Sequence, residues 1–468
     1  MKTKFVFILV FSYFLASAQN AVDAYVQTYM TNHHIPGLSA CVIKNGKVAW
    51  SNAYGLADIP NNKPATVSSI YMIESVSKTI TADVLMNEWE NGSFQLNDSI
   101  NAVLPWNVHN PWFRNVPITY KQLMTHTSSI QDNWGVLDYY WTLGDSPYTL
   151  SNFLHDYLVP PGINYDSTLN YFQTKKPGDT ADYCNVGISL CGYLTRVLSG
   201  IGFGQYSIDS IFNPLCMDNT SWFLSGIADT NMIARPYDYS GGTYVDQGLY
   251  GFPDYPDGEL RTNVISLAKF LMMNMQYGRF DNKRILDSTT VALIRSPQIP
   301  ALDPLQGLVW YKYNWMGRVI WGHSGGYDGY ASEMWMDSAK KEGVIILCNR
   351  LVSTLDPVLS ELFNLADTIS TVGKPDLNCN YYAGIDEKTI RTEIVSVFPN
   401  PAADLCTIEL EGEDPQTLYV YDVNGNLLQK EKFRSKTTIR TEGFASGIYT
   451  LRIQNSIGII NKKLVIAH

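Results

Sequence analysis

The spacing of one serine and one lysine is the first feature of this sequence that could support chemistry. Ser75 and Lys78 lie in residues 70–92, where apolar residues recur at helical spacing and predict a helix from near Ser75 to Asn91-Gly92. Residues i and i+3 share one face of a helix, so the amine can take the proton of the hydroxyl. This role requires that apolar neighbours lower the pKa of the lysine. The pair therefore indicates a nucleophilic serine and its base beside the N–H groups of a helix N-terminus.

A Ser-x-x-Lys pair is a weak signal by itself, because the chain contains a second one. Ser338 and Lys341 have the same spacing, but they lie between two strand-like runs in a polar turn, where a lysine keeps its charge. The alternative for Ser75 is a helix N-cap that is followed by a surface lysine. Further groups are needed before the pair favours catalysis.

A tyrosine and an asparagine form the second group. Tyr183-Cys184-Asn185 is the only Tyr-x-Asn in the chain, and a helical pattern follows it over residues 187–198. In an extended loop residues i and i+2 point the same way, which directs Tyr183 and Asn185 into a cleft and Cys184 into the core. Tyr183 could relay a proton, and Asn185 could hold a substrate amide. The alternative is a packed tyrosine with a turn asparagine.

A glycine-rich segment, Trp321-Gly-His-Ser-Gly-Gly326, supplies the third group. Its His323-Ser324-Gly325 is the only His-x-Gly in the chain, and its glycines allow a substrate to approach the backbone closely. A strand edge here could present the N–H of Gly326, together with the N–H of Ser75, to an oxyanion. The alternative is a glycine-rich hairpin with an incidental histidine.

The composition of the chain excludes several functions for these groups. The chain has 468 residues, 45% of them apolar, and a formal charge of −10, which loss of Lys2 and Lys4 with a leader takes to −12. That length suggests two or three domains, and that charge repels phosphate backbones and anionic membranes, so we expect no nucleic-acid partner. Seven His and seven Cys without C-x-x-C or H-E-x-x-H spacing predict no metal site and no cofactor.

The first 18 residues, MKTKFVFILVFSYFLASA, have the features of a secretory signal peptide. A basic start precedes an apolar run, residues 5–15, and a small-residue cleavage site. The alternative, a membrane anchor, requires about 20 apolar residues, and no later stretch is long enough to be a transmembrane segment. We therefore expect export through the periplasm, with most cysteines acting as small buried hydrophobes.

The character of the chain changes after its last methionine, Met336. Residues 19–372 hold every candidate catalytic group, 373–393 have no clear periodicity and are interpreted as a linker, and 394–468 contain six or seven short strand patterns. Asn424-Gly425 between two of these patterns predicts a hairpin turn. Residues 394–468 are thus predicted to form a small all-β sandwich.

This tail resembles a known export signal. Val397-Phe-Pro-Asn-Pro401, Tyr421-Asp-Val-Asn-Gly425, Gly447-Ile-Tyr449 and Lys462-Lys-Leu-Val-Ile466 occur in the order found in the C-terminal sorting domain of the type IX secretion system. The resemblance implies an outer-membrane secretion machinery as partner, and a cargo that is released or attached to the cell surface. The alternatives are a spacer and a carbohydrate-binding sandwich, as in an adhesin, although the tail has no Trp to stack on a sugar.

Residues 22–365 resemble the serine β-lactamase and penicillin-recognising superfamily, because the three groups occur in its order. The likeness is to its class C-like branch, which includes D-aminopeptidases, DD-peptidases, esterases and β-lactamases. The segments His34-Ile-Pro-Gly37 and Gln122-Leu-Met-Thr-His-Thr-Ser-Ser129 also match. The resemblance implies an α/β (α+β) fold in which a helical subdomain lies beside an antiparallel sheet flanked by helices, with the active site between them.

Roles follow from this resemblance residue by residue. It implies catalytic roles for Ser75 (acylated nucleophile), Lys78 (base) and Tyr183 (proton shuttle), and substrate-binding or oxyanion roles for Asn185, His323, Ser324, Gly325 and Gly326. The expected activity is that of a secreted serine hydrolase that acts on a peptide, amide or ester through an acyl-enzyme. The alternative is a catalytically silent penicillin-binding-like protein that binds peptides or cell-wall fragments.

Two positions depart from the family pattern. His323 stands where class C β-lactamases have a lysine, and an ordinary histidine, with a pKa of about 6.5, is largely neutral at neutral pH. A substrate carboxylate then lacks a fixed cation, which favours a peptidase or esterase over a β-lactamase.

Ser129 replaces the usual Gly and could alter the loop that follows it. His126 in that segment is interpreted as structural, and the aromatic residues of 131–172 as either a wall of the cleft or core.

Overall fold

The computed structural model describes residues 21–369, 396–409, 416–422, 427–454 and 459–467. The predicted signal peptide, the predicted linker and the Asn424-Gly425 turn lie outside these residues. The chain divides into two compact units, Met1–Tyr381 and Tyr382–His468. Each unit has its own apolar core and is described by itself.

The larger unit contains all the helices of the described residues. They are α1 (residues 21–32), α2 (Ser77–Glu90), α3 (Tyr120–Met124), α4 (Trp134–Leu137), α5 (Leu150–Leu158), α6 (Asn185–Ser199), α7 (Phe203–Ser207), α8 (Val264–Met275), α9 (Ser288–Ile294) and α10 (Asp356–Thr368). Its strands are β1 (Gly37–Lys44), β2 (Lys47–Asp58), β3 (Lys63–Pro64), β4 (Tyr71–Met72), β5 (Thr142–Leu143), β6 (Tyr237–Ser240), β7 (Thr243–Asp246), β8 (Tyr250–Gly251), β9 (Arg261–Thr262), β10 (Arg279–Phe280), β11 (Lys283–Arg284), β12 (Tyr311–Trp315), β13 (Arg318–Tyr327), β14 (Tyr330–Asp337) and β15 (Glu342–Cys348).

An antiparallel sheet of seven strands forms one half of this unit. Its strand order is β12-β13-β14-β15-β1-β2-β3, so β1, the first strand of this unit, pairs with β15, the last. The sequence of β1, GLSACVIK, is apolar throughout because both faces of the sheet are covered. Leu38, Ala40 and Val42 contact one core, and Cys41 and Ile43 contact the other.

Helices cover the two faces of this sheet. Helices α1 and α10 supply Val26 and Leu359 to the core on one face, and α8 supplies Leu267 and Leu271 to the core on the other. Helix α2 packs against α6 in the helical subdomain and is buried along most of its length. The predicted fold class, a helical subdomain beside an antiparallel sheet flanked by helices, is confirmed.

The smaller unit consists of two sheets that share one core. Its strands are β16 (Ser396–Phe398), β17 (Leu405–Glu409), β18 (Gln416–Tyr421), β19 (Leu427–Phe433), β20 (Lys436–Arg440), β21 (Gly447–Gln454) and β22 (Ile459–Ile466). The sheet orders are β16-β17-β20 and β19-β18-β21-β22. Ile408 and Ile439 from the first sheet pack with Leu418 and Leu451 from the second. This arrangement confirms the predicted small β-sandwich.

The described cysteines agree with the expectation that most are small buried hydrophobes. Cys41, Cys184, Cys191, Cys348 and Cys406 are free and buried, whereas Cys216 is disulfide-bonded.

Across the described segments no single helix is long and apolar enough to cross a membrane. The pair formed by α6 and residues Phe203–Phe212, bent by 84°, would qualify jointly by length and composition alone.

A buried carboxyl group on α2 makes the stability of the larger unit depend on pH. Asp83 is fully buried and accepts hydrogen bonds from Asn274 Nδ2 (2.7 Å) and Trp310 Nε1 (3.1 Å). Burial raises the pKa of Asp83 to about 7, although these hydrogen bonds and Arg295 oppose the shift. The folded protein therefore holds a proton that the unfolded chain releases above its ordinary pKa of about 4.

The contribution of Asp83 to stability should consequently fall as the pH rises from about 4 to about 7, because over this range its carboxyl group binds a proton in the folded state but not in the unfolded state. Asp83→Asn removes this titration, so its Tm should fall less than that of the wild type over the same range, as measured by calorimetry. Asp238→Asn, at an exposed position, is the matched control and should follow the wild type. An unchanged pH dependence in Asp83→Asn would show that Asp83 stays ionised in the fold.

Candidate active site

Ser75 and Lys78 meet at the start of α2. Ser75 lies in a single 3₁₀ turn, Glu74–Val76, that runs directly into α2, and the helix ends at the predicted stop, where Asn91 caps it. Lys78 Nζ lies 3.0 Å from Ser75 Oγ and 2.6 Å from the carbonyl oxygen of Asp257. The side chain of Lys78 is only 1% exposed. The alternative interpretation, an N-cap followed by a surface lysine, is therefore wrong.

The charge state of Lys78 departs from the sequence expectation. Burial lowers the pKa of Lys78, as expected, but the neighbouring Tyr183, Asp257 and Asp132 outweigh burial, and the net direction is above the ordinary value. The expectation of a lowered pKa is thus wrong, because apolar residues are not the only neighbours. In the resting site Lys78 is an ammonium that donates a hydrogen bond to Ser75 Oγ.

The second Ser-x-x-Lys pair lies in the turn between β14 and β15, as predicted. Ser338 Oγ accepts a hydrogen bond from Arg295 at 3.2 Å, and Lys341 is exposed. Neither residue lines the cleft that contains Ser75.

Tyr183 and Asn185 flank the serine–lysine pair. Cys184 is buried and Tyr183 is 50% exposed, so the chain alternates as predicted, but α6 begins at Asn185 rather than near Gly187. Lys78 Nζ lies 5.1 Å from the centroid of the Tyr183 ring. Asn185 lines the same cleft as Ser75 and Lys78. The structure thus brings together all four polar side chains that the first two motifs predicted.

Two histidine rings lie near the Tyr183 ring. Its centroid lies 4.5 Å from the His126 ring, which stacks on it, and 6.2 Å from the His323 ring. His126 Nδ1 accepts the backbone N–H of Cys184 at 3.2 Å, and burial, with Lys78 and His323, lowers the pKa of His126 to about 3. His126 is therefore neutral and positions the Tyr183 segment, in agreement with its structural interpretation.

His323 is even less basic than the sequence suggested. Burial lowers its pKa from 6.5 to about 4, with Lys78 adding to the effect and a hydrogen bond to the Ser324 carbonyl opposing it. A neutral imidazole therefore lies at this position at neutral pH. The expectation that its charge would appear near a pKa of about 6.5 is wrong.

The glycine-rich segment of β13 lies along an open edge of the sheet. Strand β12 pairs with β13 only as far as Gly322, whereas β14 pairs with β13 as far as Tyr327. A Cβ on Gly325 would lie 2.6 Å from the carbonyl oxygen of Ile73 and 2.9 Å from the nitrogen of Ser75, so only glycine permits this approach. Gly326 lines the cleft beside Ser75, and Ser324 is exposed.

About 520 Å³ of space, part of it open to solvent, lies within the cleft. Trp134, Trp141, Phe252 and Tyr327 form aromatic walls around Ser75 and Lys78. Of the aromatic residues in 131–172, the two tryptophans therefore line the cleft, whereas tyrosines such as Tyr157 and Tyr171 are buried in the core. Both interpretations of that segment hold, each for different residues.

Buried carboxyl groups at the base of the cleft were missed by the sequence reasoning. Burial raises the pKa of Glu74 to about 8 and that of Asp257 to about 6, although Lys78 opposes both shifts. Asp254, which shares the cleft, has a pKa well above its ordinary value for the same reason. Glu74 directly precedes Ser75, and Asp254 and Asp257 lie three residues apart, but nothing in these local patterns indicates burial near Lys78.

Asp132 is a further residue that the sequence did not single out. Its carboxylate accepts the backbone N–H groups of Asn185 (2.9 Å) and Val186 (3.1 Å), and also Asn185 Nδ2 at 2.8 Å. It therefore caps the N-terminus of α6 from a loop that is 53 residues away in the chain. Asp132 lies in the loop after Ser129, but no local sequence pattern predicts that it contacts a helix so distant in the chain.

Two side-chain hydrogen bonds accompany the unusual backbone conformation of Ser129. Its φ of 66° is in the left-handed region that favours the usual glycine. Ser129 Oγ donates to the Lys175 carbonyl at 2.6 Å and accepts from Asn110 Nδ2. These bonds stabilise the loop that carries Asp132.

Comparisons with known proteins identify the families that the two units match. Residues 22–364 match the family described as Beta-lactamase, and residues 396–467 match the Secretion system C-terminal sorting domain. The chain belongs to the Beta-lactamase family, whose superfamily members are serine hydrolases. Its sorting domain indicates export by type IX secretion to the cell surface or extracellular space and implies contact with the secretion machinery.

Similar proteins include binding proteins and enzymes. The D-amino acid amidase from Ochrobactrum anthropi SV3 has a TM-score of 0.62 at 19% identity, over 75% of this chain and 98% of that one. The octameric penicillin-binding protein homologue from Pyrococcus abyssi has a TM-score of 0.60 at 21% identity, over 95% and 99%. Protein flp from Staphylococcus aureus strain MW2 is 26% identical over 349 residues, or 74% of this chain. That match spans 66% of flp's own length. The structural likenesses establish the fold.

Proposed function

We propose that this protein is a secreted serine hydrolase that cleaves a peptide, amide or ester bond through an acyl-enzyme on Ser75. The observation that carries the proposal is the distance of 3.0 Å between Ser75 Oγ and the buried Nζ of Lys78, inside an aromatic cleft. Residues 19–372 perform the chemistry in this proposal. Residues 1–18 and 394–468 direct export, and 373–393 link the two domains.

The proposed reaction begins with the minor, neutral form of Lys78. Ser75 Oγ attacks the substrate carbonyl carbon while its proton passes to Lys78 Nζ. The N–H groups of Ser75 and Gly326 hold the oxyanion. As the bond to the leaving group breaks, the proton passes through Tyr183 to the leaving nitrogen or oxygen, and Asn185 orients the substrate. Water then attacks the carbonyl carbon of the Ser75 ester. The same groups take a proton from this water and deliver it to Ser75 Oγ as the ester bond breaks and the acid product leaves.

The choice of peptide, amide or ester over β-lactam rests on His323. At neutral pH this residue provides no fixed cation for a substrate carboxylate, because its pKa is lowered to about 4. Lys78, the cation at the base of the cleft, already donates to Ser75 and to the Asp257 carbonyl. Substrates without a carboxylate therefore fit the cleft best.

Ser75→Ala should abolish turnover and covalent labelling by a fluorophosphonate while the fold is retained, because this half-buried turn serine makes no capping hydrogen bond and loss of one side-chain hydrogen bond costs only about 1–2 kcal/mol. Ser338→Ala is the matched control, since it alters the other Ser-x-x-Lys pair, and it should be labelled like the wild type. Mass spectrometry of the labelled peptide identifies the modified residue.

A wild-type protein that the probe does not label would favour the silent penicillin-binding-like protein. Labelling of Ser75→Ala, or its loss in Ser338→Ala, would refute the assignment of the nucleophile.

His323→Lys tests the substrate preference. The wild type should hydrolyse cephalosporins weakly or not at all near pH 7.5, and the added cation should raise activity toward carboxylate-bearing substrates more than toward neutral esters, by about tenfold for one charge-assisted hydrogen bond. Steady-state rates on both substrate kinds measure the ratio. Efficient cephalosporin hydrolysis by the wild type, or an equal effect of the substitution on both kinds, would refute this account.

A further inference from the structure

The contacts of Asp132 determine which way the carboxamide of Asn185 faces. Two backbone N–H groups and Asn185 Nδ2 converge on the two oxygens of Asp132. Those oxygens act there only as acceptors, so the group of Asn185 that faces them must be the donor, Nδ2. The other end of the carboxamide, Oδ1, is then available to the cleft that Asn185 lines.

Asn185 Oδ1 finds no donor among the described residues. Lys78 is the nearby cation, and its hydrogen bonds go to Ser75 Oγ and to the Asp257 carbonyl. An acceptor oxygen that lines a substrate cleft next to the reacting serine can be satisfied by a donor on the substrate. A substrate carboxylate at the same place would put two hydrogen-bond acceptors opposite each other, with no proton to share.

We infer that Asp132 is a positioning residue which fixes Asn185 as a hydrogen-bond acceptor, and that the cleft consequently selects substrates with an N–H or ammonium group beside the scissile carbonyl over substrates with a carboxylate there. This inference rests on the proposed hydrolase function. Asp132 itself touches no reacting atom, since it acts through the orientation of Asn185.

The charges around the cleft favour the same substrates. A second pocket continues outward from the first, shares Trp134, Trp141 and Tyr327 with it, and adds Asp138 and Asp328. Among the described residues that line the two pockets, Lys78 is the one lysine or arginine, against Asp257, Asp138 and Asp328. Two further carboxyl groups, Glu74 and Asp254, add less negative charge because burial raises their pKa values. The faces of Trp134 and Tyr327, whose centroids lie 6.4 Å apart, also attract cations.

Three matched substrates test this preference. Alanine 4-nitroanilide carries an ammonium beside the scissile carbonyl, and its N-acetyl derivative carries a neutral N–H there. The 1-(4-nitroanilide) of 2-methylsuccinic acid, called the succinyl substrate, carries a carboxymethyl group there and no N–H. Both enantiomers are used because the geometry does not require either. The wild type should show the highest kcat/KM for the ammonium substrate and the lowest for the succinyl one. The difference should be about tenfold to a hundredfold, as for one hydrogen bond to a charged group.

Asp132→Asn then tests the positioning role. The new amide would donate to Asn185 and turn the carboxamide around, so that Nδ2 faces the cleft. The ammonium-to-succinyl ratio should fall by about tenfold, whereas a loss of stability alone would lower all three rates together. The swap Asp132→Asn/Asn185→Asp restores an acceptor in the cleft at unchanged net charge and should restore most of the ratio. Asp179→Asn, which removes an exposed carboxylate, should leave the ratio at the wild-type value.

Labelling of Ser75 by an uncharged fluorophosphonate separates the two proposals. If the wild type is not labelled, the hydrolase proposal fails, and this inference fails with it. If Ser75 is labelled but the wild type prefers the succinyl substrate or shows no preference, the inference alone is overturned. A ratio that folded Asp132→Asn leaves unchanged, or that the swap does not restore, overturns the role of Asp132.

Discussion

A lysine ammonium that is held out of water beside a serine hydroxyl is the interaction on which the rest of the cleft depends. A buried cation is costly unless hydrogen bonds and opposite charges replace its hydration. Lys78 receives both: its Nζ donates to Ser75 Oγ and to the Asp257 carbonyl, and Asp257 and Asp132 favour its charge. Several segments that are distant in sequence must therefore converge on α2.

The same charge explains much of the surrounding electrostatics. Lys78 opposes the upward pKa shifts that burial imposes on Glu74 and Asp257, and it adds to the downward shifts of His126 and His323. The site therefore holds its one positive charge at the serine and neutral imidazoles around Tyr183. Such a distribution suits attack on a carbonyl at Ser75 and provides no second cation to anchor an anionic substrate.

The sequence was sufficient where chemistry depends on short spacing. Ser75 and Lys78 share a helical turn, and Tyr183 and Asn185 flank a buried residue, so their approximate directions follow from local periodicity. It was insufficient where the partner is remote, since Asp132 reaches Asn185 across 53 residues. The pKa of Lys78 likewise depends on a tyrosine and two aspartates that come from three segments. The fold class followed from apolar patterns and resemblance, whereas the close approach of Gly325 to Ser75 required the assembled sheet.

The central claim, that Lys78 is the base for Ser75, is tested most directly by the pH dependence of acylation. Because the resting lysine is charged, fluorophosphonate labelling of the wild type should accelerate about tenfold per unit from about pH 6 to about pH 9, as the neutral amine becomes more abundant. Lys78→Arg should be very slow at every pH, since a guanidinium is not deprotonated there. Rates that stop rising near neutral pH in the wild type, or the same slope in Lys78→Arg, would contradict the account.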